Sequence, residues 1–205
     1  MADAEDTAPL IVPGLERLAQ LDTIKLKQLT SSYKNNNFTV LDGEDVLINL
    51  VEEDHEFDIF SFGRRRGFHS NIVDNTGKKV YTLRRPGTSI KDKIQIRQGD
   101  DLVATARCKM TLLKPVYRIF DAQGNLVLRL KGSTCDYDNF VLQTKLRKTI
   151  GGIKRKSFTT TAQVFARLDD YTISFPADLE LNMKVAVIVG CVLMDFRLHE
   201  FRAAN

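Results

Sequence analysis

Short runs of alternating apolar and polar residues recur along most of the chain. Residues 38–50, 71–83 and 117–130 share one pattern: an alternating run, an Asp, a polar turn and a second alternating run. This pattern predicts β-hairpins, because the Asp carboxylate can accept hydrogen bonds from turn amides and a Gly three residues later can adopt the left-handed conformation. Gly77 and Gly124 stand at that position, and Asp45 replaces the Gly in the first hairpin.

Further strand-like runs lie around these hairpins. They occupy residues 23–29, 93–99, 101–110, 139–146, 162–168 and 171–175. About a dozen short strands at close spacing are typical of a sandwich or a barrel. Because no Gly/Ser/Pro-rich linker divides the 205 residues, the sequence predicts a short disordered N-terminal arm, residues 1–11, and one domain, residues 12–205.

Two segments have helical patterns. Residues 13–20 begin with Pro13 and carry Leu15 and Leu18 three positions apart, which predicts a short amphipathic helix. A second helix is predicted over residues 178–202, with Asp178 as its N-cap. Its side chains are apolar or glycine on every side from Val185 to Met194.

This C-terminal helix could cross a membrane or fill a core. A spanning helix needs about 20 mostly apolar residues, and Asp195 or Arg197 would each cost about 2.5 to 3.5 kcal/mol near a bilayer centre. Snorkelling of Lys184 leaves insertion open. The pattern favours the interior of a barrel, because a helix that is apolar all round is suited to that place. The predicted fold is therefore mainly β, a closed antiparallel barrel of about twelve strands around a buried apolar C-terminal helix.

The charge and the cysteine and histidine content limit the classes of function that fit the chain. Thirty Lys and Arg against 26 Asp and Glu give a net charge of +4, which suits an anionic membrane surface or nucleic acid without requiring either. Cys108, Cys135 and Cys191 are far apart, which disfavours a zinc site and a secreted disulfide framework. No catalytic motif surrounds the three histidines, so no covalent chemistry is predicted.

Basic residues concentrate in three places. The candidate contacts for anionic lipid headgroups are Arg64, Arg65, Arg66, Lys78, Lys79, Arg84 and Arg85. Lys78 and Lys79 are expected at the tip of the second hairpin, with Arg84 and Arg85 at its far end. Each such residue near an anionic leaflet can contribute about 1 kcal/mol. The alternative, solvated faces of edge strands, stays open. The third cluster spans residues 145–156.

Three stretches resemble the phospholipid scramblase family: "VPGLERLAQLD", "GRRRGF" followed by "IVDNTGKKVYTLRRP", and "YTISFPADLELNMKVAVIVGCVLMDF". The resemblance spans nearly all of the chain after residue 11. It implies a tubby-like fold and ATP-independent movement of phospholipids between leaflets in response to calcium, at the cytoplasmic face of the plasma membrane or other membranes. The alternative is a soluble tubby-like module that binds anionic lipid headgroups, protein partners or nucleic acid without moving lipid.

The chain departs from the family pattern in two features. Family members often carry a long Pro-rich N-terminal arm, whereas twelve residues precede Pro13 here. Many members also carry a palmitoylated cysteine cluster, and Ser61 and Phe62 stand where a Cys pair is expected. Stable anchoring would then depend on charge and the helix alone.

The resemblance also implies a calcium segment, residues 167–178, in which Asp169 and Asp178 fall on acidic positions. Arg167 occupies the first ligand position, and Thr172 stands where an EF-hand loop has Gly. Because residues 171–175 alternate like a strand, a strand followed by a capped helix is the open alternative.

A nuclear-import segment of the family aligns with Lys154, Arg155 and Lys156, so a nuclear location is a further expectation. A basic hairpin loop fits these three residues equally well.

Overall fold

The computed structural model describes residues 13–31, 36–53, 67–86, 92–109, 115–132, 138–156 and 170–203. Helix α1, Pro13–Gln20, comes first and helix α2, Leu181–Ala203, comes last. The strands between them are β1 Thr23–Ser31, β2 Asn36–Asp42, β3 Asp45–Glu52, β4 Phe68–Asp74, β5 Lys79–Arg85, β6 Lys93–Gln98, β7 Asp101–Lys109, β8 Val116–Asp121, β9 Leu126–Gly132, β10 Asn139–Thr144, β11 Thr149–Lys156 and β12 Asp170–Ser174.

The strands form a closed antiparallel barrel. Each strand pairs with the next one along the chain, and β12 returns to pair with β1. Closure leaves no row of unpaired backbone groups at a sheet edge. The predicted barrel is confirmed, and the predicted run at 162–168 lies outside the described residues.

The Asp-containing turns have the predicted geometry. Asp74 Oδ1 accepts hydrogen bonds at 2.8 Å from the backbone N–H groups of Thr76 and Lys78, and Gly77 has a φ of 84°. These bonds, that from the Thr76 hydroxyl above all, hold the pKa of Asp74 below its ordinary value. In the first hairpin Gly43, with a φ of 63°, takes the left-handed conformation, so the turn needs no Gly at position 45.

Helix α2 fills the barrel. Every residue from Met183 to Asp195 is buried, which confirms the predicted core helix. A Cβ at Gly190 would lie 3.0 Å from Leu130 Cδ1, so this glycine allows the helix to lie close to the wall. Within the described residues, no helix is both long and apolar enough to cross a bilayer.

The start of α2 differs from the prediction. The N–H groups of Met183 and Lys184 both donate to the carbonyl oxygen of Glu180, at 2.9 and 3.0 Å. Asp178 lies in the preceding turn, which the Leu179 N–H closes by donating to Pro176 O at 3.1 Å. The assignment of Asp178 as N-cap was therefore wrong, because the turn after Pro176 delays the first helical hydrogen bonds.

Helix α1 packs against the barrel at the N-terminal end of α2. Its backbone lies directly on β3, where a Cβ at Gly14 would be only 2.1 Å from Leu47 O. Arg17 on the outer side of α1 forms ion pairs with Asp42 and Asp45. Leu15 and Leu18 are buried on the inner side, as their spacing predicts.

Lys184 joins the two helices inside the protein. Its side chain is fully buried. Its Nζ donates to the carbonyl oxygens of Leu18, Ala19, Leu21 and Ala177 at 3.3, 2.6, 2.7 and 2.7 Å. Burial lowers the pKa of Lys184, against the attraction of nearby aspartates. The ammonium thus supplies donors to carbonyl groups at the C-terminal end of α1 and in the turn before α2.

Candidate functional site

Buried polar residues surround the C-terminal half of α2, at the end of the barrel away from α1. The Tyr171 hydroxyl donates to Asp195 Oδ1 at 2.6 Å. Arg85 forms a bidentate pair with Asp92, with Nε–Oδ1 at 2.9 Å and Nη2–Oδ2 at 3.0 Å. Arg197 on α2 brings its Nε to 3.5 Å from Asp92 Oδ2. Charged groups of the helix and the wall therefore compensate one another here.

Aromatic rings complete this end of the barrel. Phe196 of α2 stacks on Phe68 with ring centroids 4.6 Å apart, and the guanidinium of Arg85 lies 5.5 Å from the Phe196 centroid. Arg85 is 1 % exposed. Its sequence-based assignment to a lipid-binding surface is therefore corrected: it is the last inward position of β5, where it pairs with Asp92.

The other candidate headgroup contacts do not converge where the structure describes them. Lys78 and Lys79 are exposed at the β4–β5 turn, with Lys79 Nζ 4.0 Å from Glu53. Arg84 is exposed near the other end of β5, about 16 Å away along the strand. Arg64, Arg65 and Arg66 lie outside the described residues.

The acidic residues of the candidate calcium segment are spread out. Asp178 is exposed in the turn before α2, and Asp170 lies on β12 opposite Lys27 and Lys156. In the part of the chain that the structure describes, no group of three or more His, Cys, Asp or Glu side chains could hold a metal ion. Asp169 falls outside that part, and calcium binding stays a prediction.

The candidate nuclear-import residues lie on β11. Lys154 and Lys156 are exposed on one face of the strand. Arg155 points to the other face, with its side chain 7 % exposed and Nη1 3.3 Å from Asp138 Oδ1. Only two of the three residues are thus freely accessible, and the import role stays a prediction.

The barrel brings together four basic residues that the sequence-based set did not contain. Lys93 on β6, Arg107 on β7, Arg118 on β8 and Arg129 on β9 are direct cross-strand neighbours in that order. We call these four residues the basic row. They lie on the outer face of the sheet, since residues on either side of them, such as Ile94 and Ala106, point into the core.

The basic row has no anionic partner among the described residues. The Nε atoms of Arg107, Arg118 and Arg129 are buried without a hydrogen-bond acceptor. Lys109 and Lys131 extend the positive surface, since both lie opposite Val116 one position further along the outer face. This face of the barrel therefore offers a concentrated and uncompensated positive charge to an anionic ligand.

Sequence inspection missed the basic row because its members are not contiguous. Each lies in a different strand, and only the pairing of the strands places them side by side. The available signal was at least one basic residue at an outward position in each of several consecutive strands.

Comparison with known proteins identifies relatives of this barrel. The family model described as Scramblase matches residues 8–201. Human phospholipid scramblase 4 is 26% identical over 92% of this chain, and human phospholipid scramblase family member 5 is 28% identical over 94%. Bovine phospholipid scramblase 2 is 28% identical over 92%. No solved structure gave a significant match.

The matched region is a different fraction of this chain and of its relatives. The chain covers 64% of the length of human phospholipid scramblase 4, 79% of human family member 5 and 72% of the bovine protein. Within this chain, however, the family model takes in all twelve strands and the buried part of α2. Since the match covers the barrel and its central helix alike, the chain belongs to the Scramblase family.

Proposed function

We propose that the chain acts on phospholipid membranes and moves phospholipids between leaflets in both directions without ATP. The observation that carries this proposal is the match of the Scramblase family model to residues 8–201, together with relatives named phospholipid scramblases. The positive outer face of the barrel supports it, because such a face attracts an anionic leaflet. The lipid gradient alone would drive the movement, with no covalent step.

The physical task is to lower the barrier for a polar headgroup that crosses hydrocarbon. A protein can do so by offering a polar surface or by thinning the bilayer nearby. Side chains of α2 from Met183 to Asp195 pack inside the barrel, so the proposed path runs along the outer surface of the sheet. Helix α2 then acts as the scaffold of the transporter, and the bilayer deforms around the barrel.

A second candidate function is a membrane-surface module that binds anionic headgroups without moving lipid. The enclosure of α2 favours it, because a helix that fills the barrel cannot also line a lipid path. The same surface is then available to anionic lipid, to a protein partner or to nucleic acid.

Reconstitution distinguishes the two functions. The purified chain is incorporated into unilamellar vesicles that carry a fluorescent phospholipid in both leaflets, and a membrane-impermeant quencher is added outside. Loss of clearly more than the outer half of the fluorescence supports transport. Loss of only that half, with protein shown on the same vesicles by flotation, contradicts transport and supports the module. Protein-free vesicles give the baseline for leakage of the quencher.

Calcium responsiveness is part of the proposal, with Asp169 and Asp178 as candidate ligands. Asp178 is exposed in its turn, so its carboxylate is open to an ion. Transport is measured with calcium and with a chelator, for the natural chain and for Asp178→Asn. A calcium response that is weaker in the variant supports the assignment. An identical response in the two proteins removes Asp178 from the site.

We further propose that the chain acts at the cytoplasmic face of membranes, with nuclear import as a second destination. Lys154 and Lys156 are the exposed members of the candidate import segment. Replacement of both by Ser should reduce the nuclear fraction of a fluorescent fusion. Unchanged distribution, with Lys25→Ser as a charge control, would count against an import signal on β11.

A further inference from the structure

We infer that the basic row binds a multiply phosphorylated headgroup displayed on a membrane. The proposed ligand and its place on the barrel follow from the contacts of the basic row. Only the membrane as the source of the ligand rests on the proposed function. Headgroup binding and lipid movement are separate measurements, so either can fail alone.

Charge repulsion within the row is the first argument. Neighbouring strands are about 4.8 Å apart, so the basic side chains of Arg107, Arg118 and Arg129 stand within about 10 Å of one another. Like charges directly opposite across strands destabilise a sheet. Here such a pair occurs three times in succession, from Lys93 through to Arg129. An anion that bridges the row would relieve all three repulsions.

The contrast with other arginines is the second argument. Arg17, Arg85 and Arg155 each form an ion pair with an aspartate of the same chain. Within the described residues, no carboxylate forms an ion pair with the guanidinium groups of the basic row. The outward cross-strand neighbours of the row are equally free of carboxylates: Gln143 lies opposite Arg129, and Val116 lies between Lys109 and Lys131. Among the described residues, the fold supplies carboxylate partners for Arg17, Arg85 and Arg155 and none for the arginines of the basic row.

The arginines are also held in place before a ligand arrives. The Nε atoms of Arg107, Arg118 and Arg129 are buried, and the Arg107 guanidinium lies 4.8 Å from the ring centroid of Phe120. A guanidinium presents its donors as a planar fork that matches two oxygens of one phosphate. Three adjacent forks beside a lysine suit two or more phosphates on a single headgroup better than one isolated phosphodiester.

The β10–β11 turn indicates that the ligand lies on a membrane. Leu146 at this turn is 82% exposed, and its neighbours are Lys145, Arg147 and Lys148. The turn begins just beyond Gln143, which lies opposite Arg129 at the end of the basic row. An exposed leucine within a basic turn can enter the interfacial region of a bilayer while its charged neighbours contact headgroups.

The same surface is less suited to single-stranded nucleic acid. Such binders alternate basic residues with exposed aromatic rings on which bases stack. Around the basic row the one described outward ring, Phe120, lies under Arg107, and the other outward neighbours include Gln95, Thr105 and Val116. We therefore propose a lipid headgroup as the ligand. The test below includes RNA as a competitor.

The test compares vesicles of equal total charge. Flotation is measured with phosphatidylcholine vesicles that contain either phosphatidylserine or a smaller amount of phosphatidylinositol 4,5-bisphosphate. The natural chain is expected to bind the bisphosphate vesicles at least tenfold more tightly. Replacement of Arg118 and Arg129 by Gln should abolish that preference. The control, Lys25→Gln with Lys27→Gln, removes the same charge from β1 and should keep the preference.

Two results would overturn the inference. Equal binding to both anionic vesicles would show a response to charge alone, and an unchanged preference in Arg118→Gln/Arg129→Gln would place the ligand elsewhere. The melting temperature of each variant is measured to show that it folds. Because repulsion is removed, Arg118→Gln/Arg129→Gln is expected to melt no lower than the natural chain.

The source of the phosphate is tested in solution. Free inositol hexakisphosphate should raise the melting temperature of the natural chain but not that of Arg118→Gln/Arg129→Gln. Leu146→Ser should weaken binding to bisphosphate vesicles and leave the effect of the free ligand unchanged. If Leu146→Ser binds vesicles normally, or if an RNA oligonucleotide displaces the protein from them at lower concentration than the inositol phosphate, the membrane assignment is wrong.

Discussion

Tyr171 on β12 donates a hydrogen bond of 2.6 Å to Asp195 on α2, and both side chains are 1 % exposed. Asp195 is the first charged residue after the apolar run of α2. This bond pairs its carboxylate with the barrel wall. About three turns before Asp195 the helix is anchored by Lys184, and two residues after Asp195 it is anchored by Arg197, which faces Asp92. The charges that count against a bilayer are therefore the ones that fix α2 inside the barrel.

Removal of the Tyr171 hydroxyl should weaken this anchor. Tyr171→Phe takes a donor from a buried carboxylate, so we expect the free energy of unfolding in urea to fall by about 1 to 3 kcal/mol. Tyr117→Phe is the matched control. Tyr117 is also buried, and its hydroxyl forms no hydrogen bond with the described residues. Equal losses in the two variants would show that the Tyr171–Asp195 bond contributes nothing specific.

Loss of the Lys184 ammonium should be more costly. Lys184→Met fills similar space but removes the donor to four carbonyl oxygens and leaves a gap in a buried contact, so the free energy of unfolding is expected to fall by about 3 kcal/mol. Lys25→Met, at an exposed position on β1, should change it by less than about 0.5 kcal/mol. A Lys184→Met protein as stable as Lys25→Met would refute the role of this lysine in joining α1 to α2.

The same lysine predicts a pH dependence. Burial lowers its pKa in the folded state below the ordinary value of 10.5, so between these two values the unfolded chain binds more protons than the folded one. Stability from this group therefore rises with pH in that window. Urea unfolding measured at increasing pH up to 10.5 should show the gap in stability between the natural chain and Lys184→Met widening with pH. A gap that narrows has the opposite sign and contradicts the assignment.

Asp74 predicts a dependence of the same sign in the acid range. Hydrogen bonds from Thr76 and the Lys78 amide lower the pKa of Asp74 from its ordinary 3.8, so its contribution to stability is present above that value and is lost as the pH falls through the folded-state pKa. Asp74→Asn should lose less stability than the natural chain between pH 4 and pH 2. Asp100→Asn, in the exposed β6–β7 turn, is the control and should keep the natural acid response.

Gly190 tests the fit of α2 to the wall. Gly190→Leu places a large side chain where even a Cβ would lie 3.0 Å from Leu130, so overpacking should lower the free energy of unfolding by about 1 to 3 kcal/mol. Leu130→Ala in the same protein should restore part of the loss, whereas Leu130→Ala alone is destabilising. Additive losses in the double variant would show that these two positions do not meet.

Local patterns in the sequence predicted most of the barrel. In the β4–β5 and β8–β9 turns, the hydrogen bonds of the Asp and the left-handed Gly involve residues only a few positions apart. The sequence pattern alone therefore predicts these turns. Likewise, a ten-residue apolar run followed by charge is enough to favour a core helix. These features depend on contacts that are close along the chain.

Features that depend on strand register, on the direction of a side chain or on an unrecognised turn were not predictable in this way. In the sequence Arg85 belongs to a basic cluster. The structure shows that its side chain points inward, pairs with Asp92 and is buried. The basic row exists only through the register of β6 to β9. The late start of α2 likewise follows from a turn that the pattern alone does not reveal.

The central claim is that α2 forms the core of the barrel rather than a membrane anchor. Alkaline carbonate extraction of membranes from cells that express the full chain tests it most directly, with the protein followed in pellet and supernatant. The structure predicts release into the supernatant, because the apolar residues from Val185 to Met194 are already buried in protein. Retention in the pellet would show that the helix leaves the barrel for the bilayer and would contradict the account.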